Sequence, residues 1–358
     1  PPRPRTPDAD HAPAFWASVA AQFRGVPGLA FDLFNEPHGI SWSCWLSGCL
    51  IGAPRARWRT AGMQQLLDAI RRAGARQPVI AEGLQYGADL SGWLTHLPRD
   101  PAGQVVAGWH IYDGSQCSQT ACWDRTVARV ARRVPVLATE VGETDCTGRF
   151  LARLLPWADA RRIGYLAWTW NPNGCSIGPS LITDYAGTPT RYGAAYLAHV
   201  DPAAAARYRR LARTSFDFRV STEGWTVRWG SSLSLAGVQA VPARRTRGLA
   251  LDVTGPGWPA AGSGRGVQLV GPGSTVTYRV WAPASVSTGL RPMLTSFDWH
   301  VTLLAPQPLH SGWNTIEFRV PPAAVDVRIL GLQLDNPAGW KGRLVLNRVS
   351  WSPPPGSA

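Results

Sequence analysis

Two glutamates 104 residues apart carry the most chemical potential in this chain: Glu36 in "DLFNEPHG" and Glu140 in "PVLATEVGE". Each ends a short apolar run that reads as a buried strand, with Ala30, Phe31, Leu33 and Phe34 ahead of the first and "PVLA" ahead of the second. Pro37 lacks an N–H and cannot extend a ladder, so the first strand must stop where its polar cluster begins. A carboxylate at such a tip is either a surface group in a turn or a group aimed into a cleft. Two facing carboxylates can break a glycosidic bond. One protonates the leaving oxygen while the other attacks the anomeric carbon, at a separation of about 5–5.5 Å.

The neighbouring residue types fit that reaction. Asn35 suits a hydrogen bond to a sugar 2-hydroxyl, a contact that strengthens in the transition state. Tyr112, in "WHIYDG", suits donation to Glu140, and His110 lies two residues earlier on the same strand face. Trp168 suits stacking under the sugar at the cleaved bond, and Trp93 suits a further platform. His38 is placed to shape the loop behind Glu36, and Glu143 is the rival of Glu140. Singly, a Trp or Tyr is more often core and a His more often structural. Their joint appearance in this order, each at a strand end, is what argues for one site.

The elements that must position them alternate. Helices are expected over 13–24, 54–74, 122–133, 149–162 and 189–199, and short apolar strands over 30–34, 78–83, 105–114, 135–143 and 164–174. Strands of this kind, each followed by a helix, imply parallel pairing with both faces covered. Glu36, Glu82, His110, Tyr112, Glu140, Trp168 and Trp170 all fall at strand C-terminal ends. That placement predicts an α/β fold, a (β/α)8 TIM barrel with its site in the βα-loops. A doubly wound sheet competes, but no Gly-rich phosphate loop follows any strand. Only five strands are legible, so the first three βα units are expected to be missing ahead of residue 1, where "PPRPRTPDADHAP" reads as a linker or cut end.

Past residue 200 the rhythm changes. Residues 201–214 read as an Ala/Arg-rich linker and 353–358 as a tail. Between them, 215–352 hold alternating strands such as "WTVRW", "GVQLV", "STVTYRVWAP", "MLTSFDWHVTLL" and "VRILGLQLD", which predict an antiparallel β-sandwich, jelly-roll-like.

Composition narrows the function. Hydrophobic content of 45% with 16% charged residues supports packed cores, and no apolar run reaches membrane-spanning length. The net charge of +13 invites a nucleic-acid role, yet its arginines are scattered and Lys341 is the sole lysine. Eighteen tryptophans exceed what cores need and suit the flat C–H faces of pyranose rings. The six cysteines, Cys44, Cys49, Cys117, Cys122, Cys146 and Cys175, form an even set that three local disulfides would exhaust, which points to an oxidising compartment. Zinc is the competing reading, but no short Cys-x2-Cys knuckle is present.

Together "DLFNEPHG", "WHIYDG", "PVLATEVGE" and "YLAWTWNPN" resemble glycoside hydrolase family 5, the cellulase-like retaining barrel hydrolases, over residues 13–199. The resemblance implies Glu36 as acid/base and Glu140, before its Val141-Gly142 step, as nucleophile. It implies Asn35, His110, Tyr112 and Trp168 as supporting residues. An Arg and one or two His expected on earlier strands are absent. The sandwich resembles the carbohydrate-binding modules appended to such enzymes, with Trp299 or Trp340 as binding residues and Trp225, Trp229 and Trp351 equally suited to core. The expectation is therefore a secreted retaining β-1,4-glucanase with a barrel over 1–200 and no cofactor or metal. It is expected to be monomeric, with polysaccharide, β-glucan or β-mannan, as partner and neither nucleic acid nor membrane. A β-mannanase or other β-glycanase, and a catalytically silent carbohydrate-binding fragment, are the alternatives.

Overall fold

The computed structural model describes residues 6–354 except 55, 175–177, 212–213, 243–245, 265–266, 268–269, 297–298 and 325–326. It divides into two compact units, Pro1–Thr144 with Arg149–Trp168, and Asp145–Gly148 with Thr169–Ala358. Among the described residues no helix is long and apolar enough to cross a membrane.

The first unit opens with α1 (Ala12–Phe23) and β1 (Phe31–Asp32), then α2 (Trp42–Ser47) and the hairpin β2 (Leu50–Ile51) and β3 (Trp58–Arg59). After α3 (Met63–Arg72) come β4 (Val79–Glu82), β5 (Val105–Tyr112), α4 (Thr120–Arg125), α5 (Val127–Ala131), β6 (Val136–Gly142), α6 (Arg149–Asp159) and β7 (Gly164–Ala167). Strands β1, β4, β5, β6 and β7 pair in that order, each parallel to the next. Sequential parallel order, with α-helices in the crossovers other than β4 to β5, where only a short 3-10 turn (Leu94–His96) lies, is the arrangement of a (β/α) barrel, here as an open five-stranded part of one.

Two expected helices are shorter than their apolar patterns suggest. The one expected over 54–74 starts at Met63, because Trp58 and Arg59 pair with Leu50 and Ile51 instead. Gly62 caps it in extended conformation, its amide donating to the Gln65 side chain at 3.0 Å. The preceding chain packs so closely that a Cβ at Gly62 would lie 2.2 Å from the Leu46 carbonyl oxygen. The helix expected over 122–133 breaks at Thr126 (φ −111°, ψ −74°), whose hydroxyl donates to the Cys122 carbonyl at 2.8 Å. Such back-bonding competes with the helical ladder.

Tryptophans pack against the sheet. Trp109 of β5 packs edge-on against Trp123 of α4 and Trp157 of α6, with ring centroids 6.4 and 6.2 Å away. Trp45 and Trp93 are fully buried beside β4, and their indole N–H groups donate to the carbonyls of Glu82 and Ala81 at 2.9 and 3.0 Å. Much of the tryptophan surplus is therefore core. Cys44–Cys49 and Cys117–Cys122 are disulfides, as their spacing allowed. Cys146 is disulfide-bonded as well, and Cys175 lies outside the described residues.

In the second unit, α7 (Arg191–Val200) is followed directly by α8 (Pro202–Leu211), so the expected linker is helical for ten residues, as its alanines favour. The strands that follow are β8 (Ser215–Phe216), β9 (Thr226–Trp229), β10 (Leu233–Ala240), β11 (Arg247–Val253), β12 (Ala260–Ser263) and β13 (Thr275–Ala282). Then come β14 (Gly289–Ser296), β15 (Val301–Leu303), β16 (Gln307–Pro308), β17 (Gly312–Arg319), β18 (Val327–Asp335) and β19 (Gly342–Trp351). One antiparallel sheet runs β10-β11-β19-β13-β17 with β8 beside β19; the other runs β15-β14-β18-β12-β9 with β16 beside β14. Leu249, Leu251, Leu290, Leu332, Leu344 and Leu346 are among the residues that fill the space between them. The buried Tyr278 of β13 crosses that core to donate to the Gly331 carbonyl of β18 at 2.7 Å. This is the expected sandwich; most of the "GVQLV" strand lies outside the described residues.

Candidate active site

The site lies at the C-terminal ends of the parallel strands. Just past β1, Glu36 takes a left-handed backbone conformation (φ 57°) that costs an L-residue about 1–2 kcal/mol. Three contacts hold it there. Its amide donates to Glu82 Oε2 at 2.7 Å, its carbonyl accepts from His38 Nδ1 at 2.7 Å, and its Oε1 lies 3.3 Å from His110 Nδ1. His38 in turn stacks on Tyr86 at 4.1 Å, so it does shape the loop behind Glu36.

Strand β5 brings His110 and Tyr112 to the same face, with Trp109 on the other. His110 is buried and sits level with Glu140 in the parallel register of β5 and β6. Its Nδ1 lies 3.4 Å from Glu140 Oε2, and its Nε2 lies 2.8 Å from Glu82 Oε1. The Tyr112 hydroxyl donates to Glu140 Oε2 at 2.5 Å.

Glu140 reaches this face through a β-bulge. Between paired positions, Gly108 and His110 of β5 span the same length as Leu137 to Glu140 of β6, and β7 shows the same offset against Ala138 to Val141. Side chains alternate along a strand, so an unbulged β6 would set Thr139 level with His110 and turn Glu140 away.

The electrostatics follow from this crowding. Burial alone would push His110 down, but hydrogen bonds to Glu36 and Glu82 and the charges of Glu82 and Glu140 outweigh it and raise it to about 10. Burial raises Glu140 above the usual carboxylate range, and the Tyr112 hydroxyl and the His110 charge pull it part of the way back. Behind Glu82, burial and then the Glu82 charge push Asp32 up to about 8.

Single atoms of Glu36, His110 and Glu140 all fall within 4.8 Å of one another, which sets the two carboxylates at the close spacing used by a nucleophile and an acid/base. The same trio is the one His/Asp/Glu grouping among the described residues close enough to hold a cation. With both ring nitrogens against carboxylates, however, a doubly protonated imidazole has no lone pair to offer a metal.

The other expected residues separate clearly. Asn35 is exposed beside Glu36. Trp168 is 47% exposed past the end of β7, its amide donating to the Val141 carbonyl at 2.8 Å. Trp93 is a correction: fully buried, it presents no face to a sugar and belongs to the core beside β4. Glu143 is buried, and its Oε2 accepts the Leu151 amide at 3.3 Å in the first turn of α6, so it serves the helix N-terminus. In the second unit Trp340, Trp225 and Trp351 are buried, while Trp229, Trp258 and Trp299 are exposed. Glu82 and Asp32 received no role from the sequence. Their signal was there, in acids within otherwise apolar strands.

Residues 4–174 match the family model described as cellulase (glycosyl hydrolase family 5). An endoglucanase of Paenibacillus polymyxa is 25% identical over 203 residues, which is 48% of this chain and 49% of that protein. Endoglucanase 1 of Robillarda sp. (strain Y-20) is 24% identical over 222 residues, 52% of this chain and 54% of that one. The chain thus spans about half the length of the curated relatives it matches. A solved structure of XacCel5A in complex with cellopentaose aligns with a TM-score of 0.40 at 16% identity, covering 55% of this chain and 64% of that one.

Proposed function

With a glycosyl hydrolase family 5 domain over residues 4–174, we propose that this protein is a retaining β-1,4-glucanase. Glu140 attacks the anomeric carbon and Glu36 protonates the departing glycosidic oxygen; Glu36 then takes a proton from the water that releases the glycosyl-enzyme. The observation that carries this reading is the pairing of two carboxylates within 4.8 Å, one of them fixed by a tyrosine hydroxyl. That hydroxyl favours the ionised form a nucleophile needs. Asn35 is assigned to the sugar 2-hydroxyl and Trp168 to stacking at the cleaved bond. Disulfides at Cys44–Cys49 and Cys117–Cys122 support an extracellular setting.

The test is hydrolysis of soluble β-glucan and β-mannan by the chain and by Glu140→Gln, with the product anomer followed by NMR. Loss of turnover in Glu140→Gln and retention in the wild type are expected. Unaltered turnover, or inversion, overturns the assignment. Preference for mannan would move the substrate and leave the mechanism.

The sandwich is assigned to polysaccharide binding on the strength of its exposed rings. Trp229 and Trp258 have their indole N–H groups bonded to the Trp258 carbonyl and to Asp335 Oδ1, at 2.9 and 2.8 Å, which fixes the rings. Trp299 carries Arg328 over its ring at 4.3 Å.

A further inference from the structure

We propose that Glu82 is a positioning residue of this site, one carboxylate that fixes both the backbone at Glu36 and the protonation of His110. The inference rests on the hydrolase reading only for what is being positioned; the geometry itself is independent of it.

Glu82 ends β4 and its side chain is 1% exposed. Its two oxygens have separate tasks. Oε2 accepts the Glu36 amide at 2.7 Å, and Oε1 faces His110 Nε2 at 2.8 Å. A glutamine could not serve both, because its amide offers one acceptor and one donor where the carboxylate offers two acceptors. Space for it is provided from β5. Gly108 is its register partner, and a Cβ there would lie 2.8 Å from Glu82 Cγ.

The first contact opposes the strain at Glu36. A charge-assisted hydrogen bond to a buried carboxylate is stronger than a neutral one and offsets the strain of the left-handed residue. The second decides the state of the imidazole. The groups facing His110 are Glu82 at Nε2 and Glu36 and Glu140 at Nδ1, all carboxylates. With Nε2–H donated to Glu82, Nδ1 keeps a proton as well, shared toward the two reacting groups. Asp32 stands behind Glu82, and at about 8 it keeps its own proton near neutrality and adds no second charge there. Glu82 touches no substrate in this account; it acts through Glu36 and His110.

The test is nitrogen-15 NMR of the histidine side chains in the full chain, with His110 assigned by its loss in His110→Asn. In the wild type His110 should remain doubly protonated from about pH 5 to about pH 9, and in Glu82→Gln its titration should fall by at least about one unit. A neutral wild-type His110 at pH ~7.5 overturns the proposal by itself, so it stays testable if the variant does not fold. So does a Glu82→Gln protein whose His110 titrates unchanged. With an active chain, Glu82→Gln should lower kcat on cello-oligosaccharides roughly tenfold more than on an activated aryl cellobioside, with KM little altered. Equal losses on both substrates would overturn the positioning role. A wild type inert on every glycan would count against the hydrolase reading alone, since the NMR result still decides Glu82.

Discussion

His110 and Glu140 stand level on neighbouring parallel strands, and they do so only because β6 carries one residue more than β5 in the segment leading to them. Their ring nitrogen and carboxylate oxygen are 3.4 Å apart, and Tyr112, one turn of the pleat further on, binds the same oxygen. Glu140 is therefore held by a hydrogen bond from a neutral hydroxyl and by the charge of the imidazole beside it. That arrangement sets how it should titrate.

Removing the hydroxyl should show this directly. In Tyr112→Phe, Glu140 loses a hydrogen bond that favours its ionised form, worth about 1.5–3 kcal/mol. The acidic limb of the kcat/KM profile should move to higher pH, and turnover should fall roughly 10- to 100-fold. A pH–rate profile of the two proteins checks both effects.

The acid/base assignment predicts a dependence on leaving group. Glu36→Ala should lose roughly 10²–10⁴-fold on cello-oligosaccharides, which need a proton at the departing oxygen. A dinitrophenyl cellobioside needs none, so its glycosylation step should be nearly preserved. Added azide should then speed turnover and yield a β-glycosyl azide, detectable by mass spectrometry.

Stability should vary with pH in a sense fixed by three groups. Asp32 and His110 bind protons more tightly folded than unfolded, at about 8 and about 10. Their contributions are complete below the unfolded values of about 3.9 and about 6.5, and are lost as pH rises through the folded values. Asp100 is the opposite case: Arg71 holds it down to about 2, so its contribution is present above about 3.9 and lost as pH falls through about 2. Tm should peak near about pH 4, decline to about 8 as the Asp32 contribution is lost, and go on declining toward about 10 with that of His110; Asp32→Asn should flatten the decline below about 8. Thermal scans across that range measure it.

Far from the site, Arg71 and Asp100 tie α3 to the loop before β5. The guanidinium makes paired bonds of 2.7 and 2.8 Å to the carboxylate and also donates to the carbonyls of Ala75 and Gln77. Both side chains are largely buried, at 11% and 3% exposure. Asp100→Ala leaves the guanidinium without its anion and should destabilise the chain by about 2–4 kcal/mol in urea unfolding.

For the sandwich, Trp258→Ala and Trp299→Ala in the full chain should each weaken retention on insoluble β-glucan by roughly tenfold. Trp340→Ala should unfold the loop that Asn336 fastens through the Trp340 amide and carbonyl, at 3.0 and 2.9 Å, rather than affect binding selectively. Pull-down isotherms and circular dichroism separate the two outcomes.

The sequence determined more of this protein than its chain order suggests. Apolar runs interrupted by acids marked Glu36 and Glu140, and the spacing of strands and helices marked a parallel sheet followed along the chain by an antiparallel sandwich. Those features are local, because an apolar strand and the polar residue that ends it lie within ten residues of each other. What the tertiary structure decided is which residues of similar type meet. Trp93 and Trp168 look alike in sequence, yet one donates its indole N–H to a buried carbonyl while the other is exposed at a strand end. Glu143 and Glu140 are three residues apart, and only the bulge in β6 and the start of α6 send one to His110 and the other to a helix amide. A one-residue offset in strand pairing leaves no trace in composition or period, since it arises from how neighbouring strands fit. For the same reason Glu82, in a strand that looked like core, became the carboxylate on which both Glu36 and His110 rest.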